Sequence, residues 1–246
     1  MIGLMKELVR PKKRSSSQRT HSPYLDRTLL ASHYVRGQGI EIGALHNPLV
    51  LPPQASVQYV DRLPVEELRK HYPELNDLPL VDVDILDDGE KLDKVTSGSQ
   101  DFVIANHFLE HCEDPIGTLN QFFRVLKQEG ILYLAVPDKR FTFDRQRQET
   151  PLGHLFCDHE HGPQTSRAQH LHEWVWLVNQ AKDEADAQRQ IEHLEAIRYS
   201  IHYHVWTQSS WLEFMLAMRA RLGFEIETFL QSGHEMISIL RKQNAA

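Results

Sequence analysis

Apolar positions along this chain fall into short runs of strand length, separated by segments of helical period. Leu25, Leu29, Leu30, Tyr34 and Val35 lie at near-helical spacing between Tyr24 and Arg36, and Gly37 is placed to cap that helix. From Gly39 onward the pattern turns β-like: Ile40–Ile42, Val57–Val60, Leu80–Ile85, Asp101–Ala105 and Gly130–Val136. Pro64–His71 intervenes as a helix with proline at its start and Glu66 and Glu67 in the first turn. Asp114–Lys127 intervenes as another, its apolar face marked by Ile116, Leu119, Phe122, Phe123 and Leu126. Alternation of this kind predicts a doubly wound α/β fold with right-handed crossovers. After Phe224, GFEIETFLQSGHEMISILRK reads as two strands joined at Ser232-Gly233 with no helix between them. They must pair antiparallel, giving a mostly parallel seven-stranded sheet that ends in a hairpin.

Residues 140–206 break this rhythm and are rich in His, Trp and charge. They read as a mainly helical insertion after the fifth strand, covering the carboxyl ends of the strands where ligands of open α/β sheets bind. The cofactor-binding core is then 39–137 plus 207–242. Within the insertion, Ala181 to Arg198 is a charged helix with few apolar anchors, expected to project into solvent or to pack on a second subunit of a homodimer.

A length of 246 residues with 41% apolar content fits one large domain over 23–246. The first 22 residues hold Lys6, Arg10, Lys12, Lys13, Arg14 and Arg19 around a serine run, and are expected to form a mobile basic tail. A formal charge of −7 gives no general attraction to nucleic acid. No apolar run approaches the roughly 18 to 20 residues of a membrane span. Cys112 and Cys157 make no metal-binding spacing. Together these features lead to the expectation of a cytoplasmic protein with no membrane span and no nucleic-acid partner.

The first strand runs into Gly43-Ala44-Leu45, a turn of small residues where backbone can approach a ligand closely. About 20 residues later the second strand ends in Asp61, whose carboxylate is placed to accept both ribose hydroxyls of a nucleoside. In its GIEIGALHNP turn, its ANHFLEHCEDP and LYLAVPDKRFTFD segments and its terminal hairpin, the chain resembles class I S-adenosylmethionine-dependent methyltransferases. Among these it looks most like bacterial enzymes of the type 11 kind, associated with glycan or secondary-metabolite assembly. Its single Gly43 departs from the family's glycine-rich turn.

The resemblance implies S-adenosylmethionine as cofactor. It places Asp84 and Ile85 at the adenine, Asn106 and His107 beside the methionine moiety, and Glu41 near the amino group. It also separates the chain from dinucleotide dehydrogenases, which lack the hairpin. No Asn/Asp-Pro-Pro-Tyr-like motif follows the fourth strand, against methylation of nucleic-acid bases.

Methyl transfer to a hydroxyl needs a group that removes its proton. Asp138, Lys139, Arg140, Asp144 and most of the histidines cluster after the fifth strand. His154 and Asp158, at i, i+4, are the expected base and partner, with Asp138 nearby in sequence. Asp138, Asp158, His170, Glu173, His202 and His204 could supply a mixed site for Mg²⁺, Mn²⁺ or Zn²⁺ that holds vicinal hydroxyls. Arg140, Arg145 and Arg147 could meet an anionic group, and Trp174, Trp176, Trp206 and Trp211 could stack on the acceptor. The leading function is O-methylation of a sugar or small hydroxylated metabolite. The alternatives are a catalytically silent binding protein of the same fold, or a metal-dependent hydrolase built on the histidines.

Overall fold

A computed structural model describes residues 26–243, so the basic tail expected over 1–22 lies outside the described residues. The chain begins with α1 (Arg27–Tyr34), whose N-terminus is capped by Asp26 accepting from the Leu29 amide at 2.8 Å. The core then alternates β1 (Gly37–Ile42), β2 (Ala55–Asp61), α2 (Val65–His71), β3 (Ile85–Leu86), β4 (Gln100–Asn106), α3 (Pro115–Val125) and β5 (Leu126–Pro137). Three helices follow, α4 (Leu152–His161), α5 (Gln164–Leu177) and α6 (Glu184–Ala196). Then come α7 (Gln208–Leu222) and the hairpin β6 (Phe224–Ser232) and β7 (Glu235–Lys242).

Spatial order in the seven-stranded sheet is β3-β2-β1-β4-β5-β7-β6. Strands β1 to β5 pair parallel, while β7 runs antiparallel to both β5 and β6. Two-residue alternation divides the buried side chains between the faces. Val103 and Ala105 of β4 and Leu132, Leu134 and Val136 of β5 pack on one side with α3 and α7. Phe102, Ile104, Ile131 and Tyr133 pack on the other with Leu30 and Ala31 of α1. A third apolar cluster, Leu171, Trp174, Val175, Val178, Ala187, Leu194, Ile201 and Tyr203, holds α5, α6 and the strap 200–206 to each other.

One expectation needs correction. Leu80–Ile85 does not pair as a strand; only Ile85 and Leu86 join the sheet. Here the Tyr59 amide donates at 2.8 Å to the Asp84 carboxylate instead of to a strand carbonyl, so a side chain replaces part of the ladder. The charged helix α6 buries Ala187 and Leu194 against α5 of its own chain, because its sparse apolar positions are matched to that neighbour.

Candidate cofactor cleft and active site

The parallel strands end at a cleft of about 1060 Å³, roofed by α5, α6 and the strap 200–206. Its cofactor half is built from the ends of β1, β2 and β4. Gly43 adopts φ +63, a left-handed conformation that costs an L residue strain, and its amide donates to the Val60 carbonyl at 3.0 Å. The turn closes with Leu45 also left-handed and Asn47 bonded back to Ala44 at 2.9 Å. Ala44, Leu45 and Asn47 all face the cleft. Gly89, across from them, sits where a Cβ would come within 2.5 Å of Ile42 and 2.7 Å of Phe108.

Glu41, Asp61, Asn106 and His107 line the same cleft. Glu41 is buried, both its oxygens accepting from the Leu49 amide at 3.0 and 3.1 Å, and burial pushes its pKa up to about 7. Burial also raises Asp61. Asn106 Oδ1 is buried without a hydrogen-bond partner. A raised carboxyl and an orphaned amide oxygen at one end, with an acid at the end of β2 beyond them, suit a ligand with an ammonium at one end and a ribose at the other.

Asp84 and Ile85 do not reach this cleft. Asp84 is exposed and committed to Tyr59, while Asp88, Gly89 and Glu90, just beyond β3, occupy the wall where an adenine-facing group was expected. The strand ends at Leu86, one residue later in the sequence than its apolar run suggests.

Beside Asn106 a polar network continues along the cleft. His107 contacts Glu235 at 2.9 Å and Glu110 at 3.3 Å, and Glu235 also pairs with Arg27. Burial alone would depress His107, but the carboxylates of Glu110 and Glu235 beside it outweigh that and lift it to about 9. His111 donates Nδ1–H to the Ile201 carbonyl at 3.0 Å, and burial holds it neutral, at about 4. His202 donates Nδ1–H to the Asp144 carboxylate at 2.7 Å. Asp144 would be raised by burial, yet His202 and Arg147 bring it down to about 2. The His111 and His202 rings meet edge to face, 4.6 Å apart, and both line the cleft.

A family model described as a methyltransferase domain matches residues 39–228. The chain belongs to this methyltransferase family. Among solved structures it is similar to a protein of Rhodobacter sphaeroides assigned as a Zn-dependent alcohol dehydrogenase, with 14% identity, 86% of each chain covered and a TM-score of 0.51. It is also similar to a SAM-dependent methyltransferase from Aquifex aeolicus (12% identity, 85% of this chain and 84% of that one, TM-score 0.44). A Bacillus halodurans protein assigned as a methyltransferase is a further match (13%, 87% and 96%, TM-score 0.46). No curated protein matches by sequence. At these identities the likeness is one of fold. S-adenosylmethionine is the cofactor expected of the family.

Several residues expected at the methyltransferase's reacting end lie elsewhere. His154 and Asp158 do approach each other, at 3.0 Å, but neither lines the cleft, because the face of α4 that carries them turns toward α5 and the strap. Asp138 is fully buried and caps the turn after β5, accepting from the Arg140 amide and guanidinium. Glu173 pairs with Arg147 at 2.9 Å. Arg147 itself is buried, its donors spent on Asp144, Glu173 and the carbonyls of His202 and Tyr203, so it holds the strap rather than an anionic substrate.

The six residues expected to share one cation are therefore divided. Asp158, His170 and His204 come together with His154, whereas His202 joins the cleft and Asp138 and Glu173 join ion pairs. Trp174 lines the cleft, while Trp176 bonds to His172 outside it. Glu110 and His111 were not anticipated. Both stand in a short helical turn after β4, a place where their proximity to the strap could not be read from spacing.

Proposed function

We propose that this methyltransferase transfers a methyl group to a hydroxyl of a carbohydrate or other small hydroxylated metabolite, with His202 as general base. The observation that carries this reading is the Asp144–His202 pair on the cleft wall. A carboxylate that holds Nδ1–H fixes the tautomer, so Nε2 is the atom available to take a proton. When bound, the cofactor supplies a sulfonium methyl carbon for in-line displacement. Glu41 receives its ammonium end and Asp61 its ribose; the turn 88–90 takes the place beside the base. Trp174 and Phe143 give the acceptor an apolar wall beneath the strap. With the sulfonium methyl group bound, His202 Nε2 would take the hydroxyl proton of the acceptor, and Asp144 would stabilise the imidazolium.

Calorimetric titration with S-adenosylhomocysteine tests the first half of this reading, and product formation on a panel of sugars and small alcohols tests the second. His202→Ala is expected to lower kcat by about 10² to 10⁴-fold while leaving cofactor affinity within about twofold. A wild type that fails to bind the homocysteine product, or a His202→Ala enzyme with undiminished kcat, would remove the proposal.

A further inference from the structure

The four-residue cluster that the cleft leaves aside has the composition and spacing of a closed metal centre. His154 and Asp158 stand one turn apart on α4, His170 comes from the middle of α5, and His204 from the strap. One ligating atom from each lies within 4.8 Å of the other three. His154 Nε2 is 3.0 Å from His170 Nε2 and 3.0 Å from Asp158 Oδ2. Around a tetrahedral ion with bonds of about 2.0–2.2 Å, ligand atoms stand about 3.3 Å apart, a spacing that side-chain adjustment within this cluster can reach. The three rings pack with centroids 5.0, 5.1 and 5.7 Å apart and planes 67° to 89° from one another, turned around a common centre rather than stacked.

Hydrogen bonding within the protein accounts for one contact of this arrangement, His154 Nε2 to His170 Nε2 at 3.0 Å, but not for the other two side chains. Asp158 is 2% exposed, and its Oδ2 has no hydrogen-bond partner even though His154 Nε2 is close, because the geometry between them is wrong for an N–H donor. His204 is wholly buried. Its Nε2 faces the Glu113 carbonyl at 3.3 Å, and since a carbonyl only accepts, that nitrogen carries the proton. Nδ1 is then a buried lone pair with no partner. An ion satisfies both orphaned atoms at once, and the Glu113 carbonyl becomes the group that fixes the tautomer of its ligand.

We infer that His154, Asp158, His170 and His204 bind one Zn²⁺ with four protein ligands. Three imidazoles and one carboxylate suit zinc better than the hard, oxygen-seeking Mg²⁺ or Ca²⁺. Four protein ligands leave no open position for substrate, which marks the ion as structural. His154, with about a quarter of its side chain exposed, gives the ion a way in. The site ties α4, α5 and the strap together, and it fixes the strap two residues from His202, the base of the proposed reaction. Zinc binding itself does not depend on that reaction.

The full chain, expressed with zinc and dialysed free of loose metal, is expected to retain about one zinc per chain by mass spectrometry, falling below about a tenth in Asp158→Asn and His170→Ala. Cobalt(II) in its place should give the intense visible bands of four-coordination in the wild type. Those bands decide the matter if either variant fails to fold. Titration with S-adenosylhomocysteine reads the cofactor cleft separately. A wild type that binds the homocysteine product but neither retains nor takes up zinc would overturn the inference, as would full zinc content in both variants.

Discussion

At the scale of single residues, the cleft is prepared for a charged ligand by burying acids that water would otherwise ionise. Glu41 is the sharpest case, since at pH 6 its pKa of about 7 keeps it mostly protonated. An arriving ammonium favours the carboxylate, so cofactor binding should expel about one proton per site at that pH. Titrations in buffers of different ionisation enthalpy would show it, and Glu41→Gln should abolish it; binding with no buffer dependence would mean that Glu41 does not meet the charge. The presence of Glu41, Asp61 and Asn106 on one wall was legible because each sits at or near the carboxyl end of a strand, where position in the sequence and position in space coincide. The base was not. His154 and Asp158 share a helix face as their spacing requires, but which way that face points is set by the packing of α5 and the strap, which no local period encodes.

At the scale of elements, β3 shows how a side chain can take over part of a backbone's role. Asp84→Ala removes the acceptor of the Tyr59 amide and should cost about 1 kcal/mol in urea unfolding, with cofactor affinity changed less than about twofold. Asp61→Ala, by contrast, should weaken binding by at least about tenfold through the lost ribose contacts. Equal effects of the two substitutions on affinity would return Asp84 to the cleft. The alternation of strands and helices and the terminal hairpin were legible because apolar period reports burial directly. Where the run 80–85 misled, Asp84 serves the sheet edge through its side chain rather than by strand pairing, and pattern alone does not distinguish the two.

At the scale of the whole molecule, His107 connects regions far apart in sequence: Glu235 begins β7, and the same carboxylate pairs with Arg27 of α1. Its folded-state pKa of about 9 lies above the ordinary value near 6.5, so its contribution is complete below pH 6.5 and fades as pH rises through 9. The stability gap between wild type and His107→Gln, measured by urea unfolding, should follow that course and close above pH 9. A gap independent of pH would mean that packing, not charge, carries the contact. Burial is also partitioned at this scale. The helices that roof the cleft have an apolar core of their own, and the strap joins it to the sheet: Ile201 and Tyr203 pack with the roof, Trp206 with Trp211 and Phe214 under the sheet. The roof is accordingly tethered at one end, so residues facing the cleft can change while Trp206 keeps the strap seated.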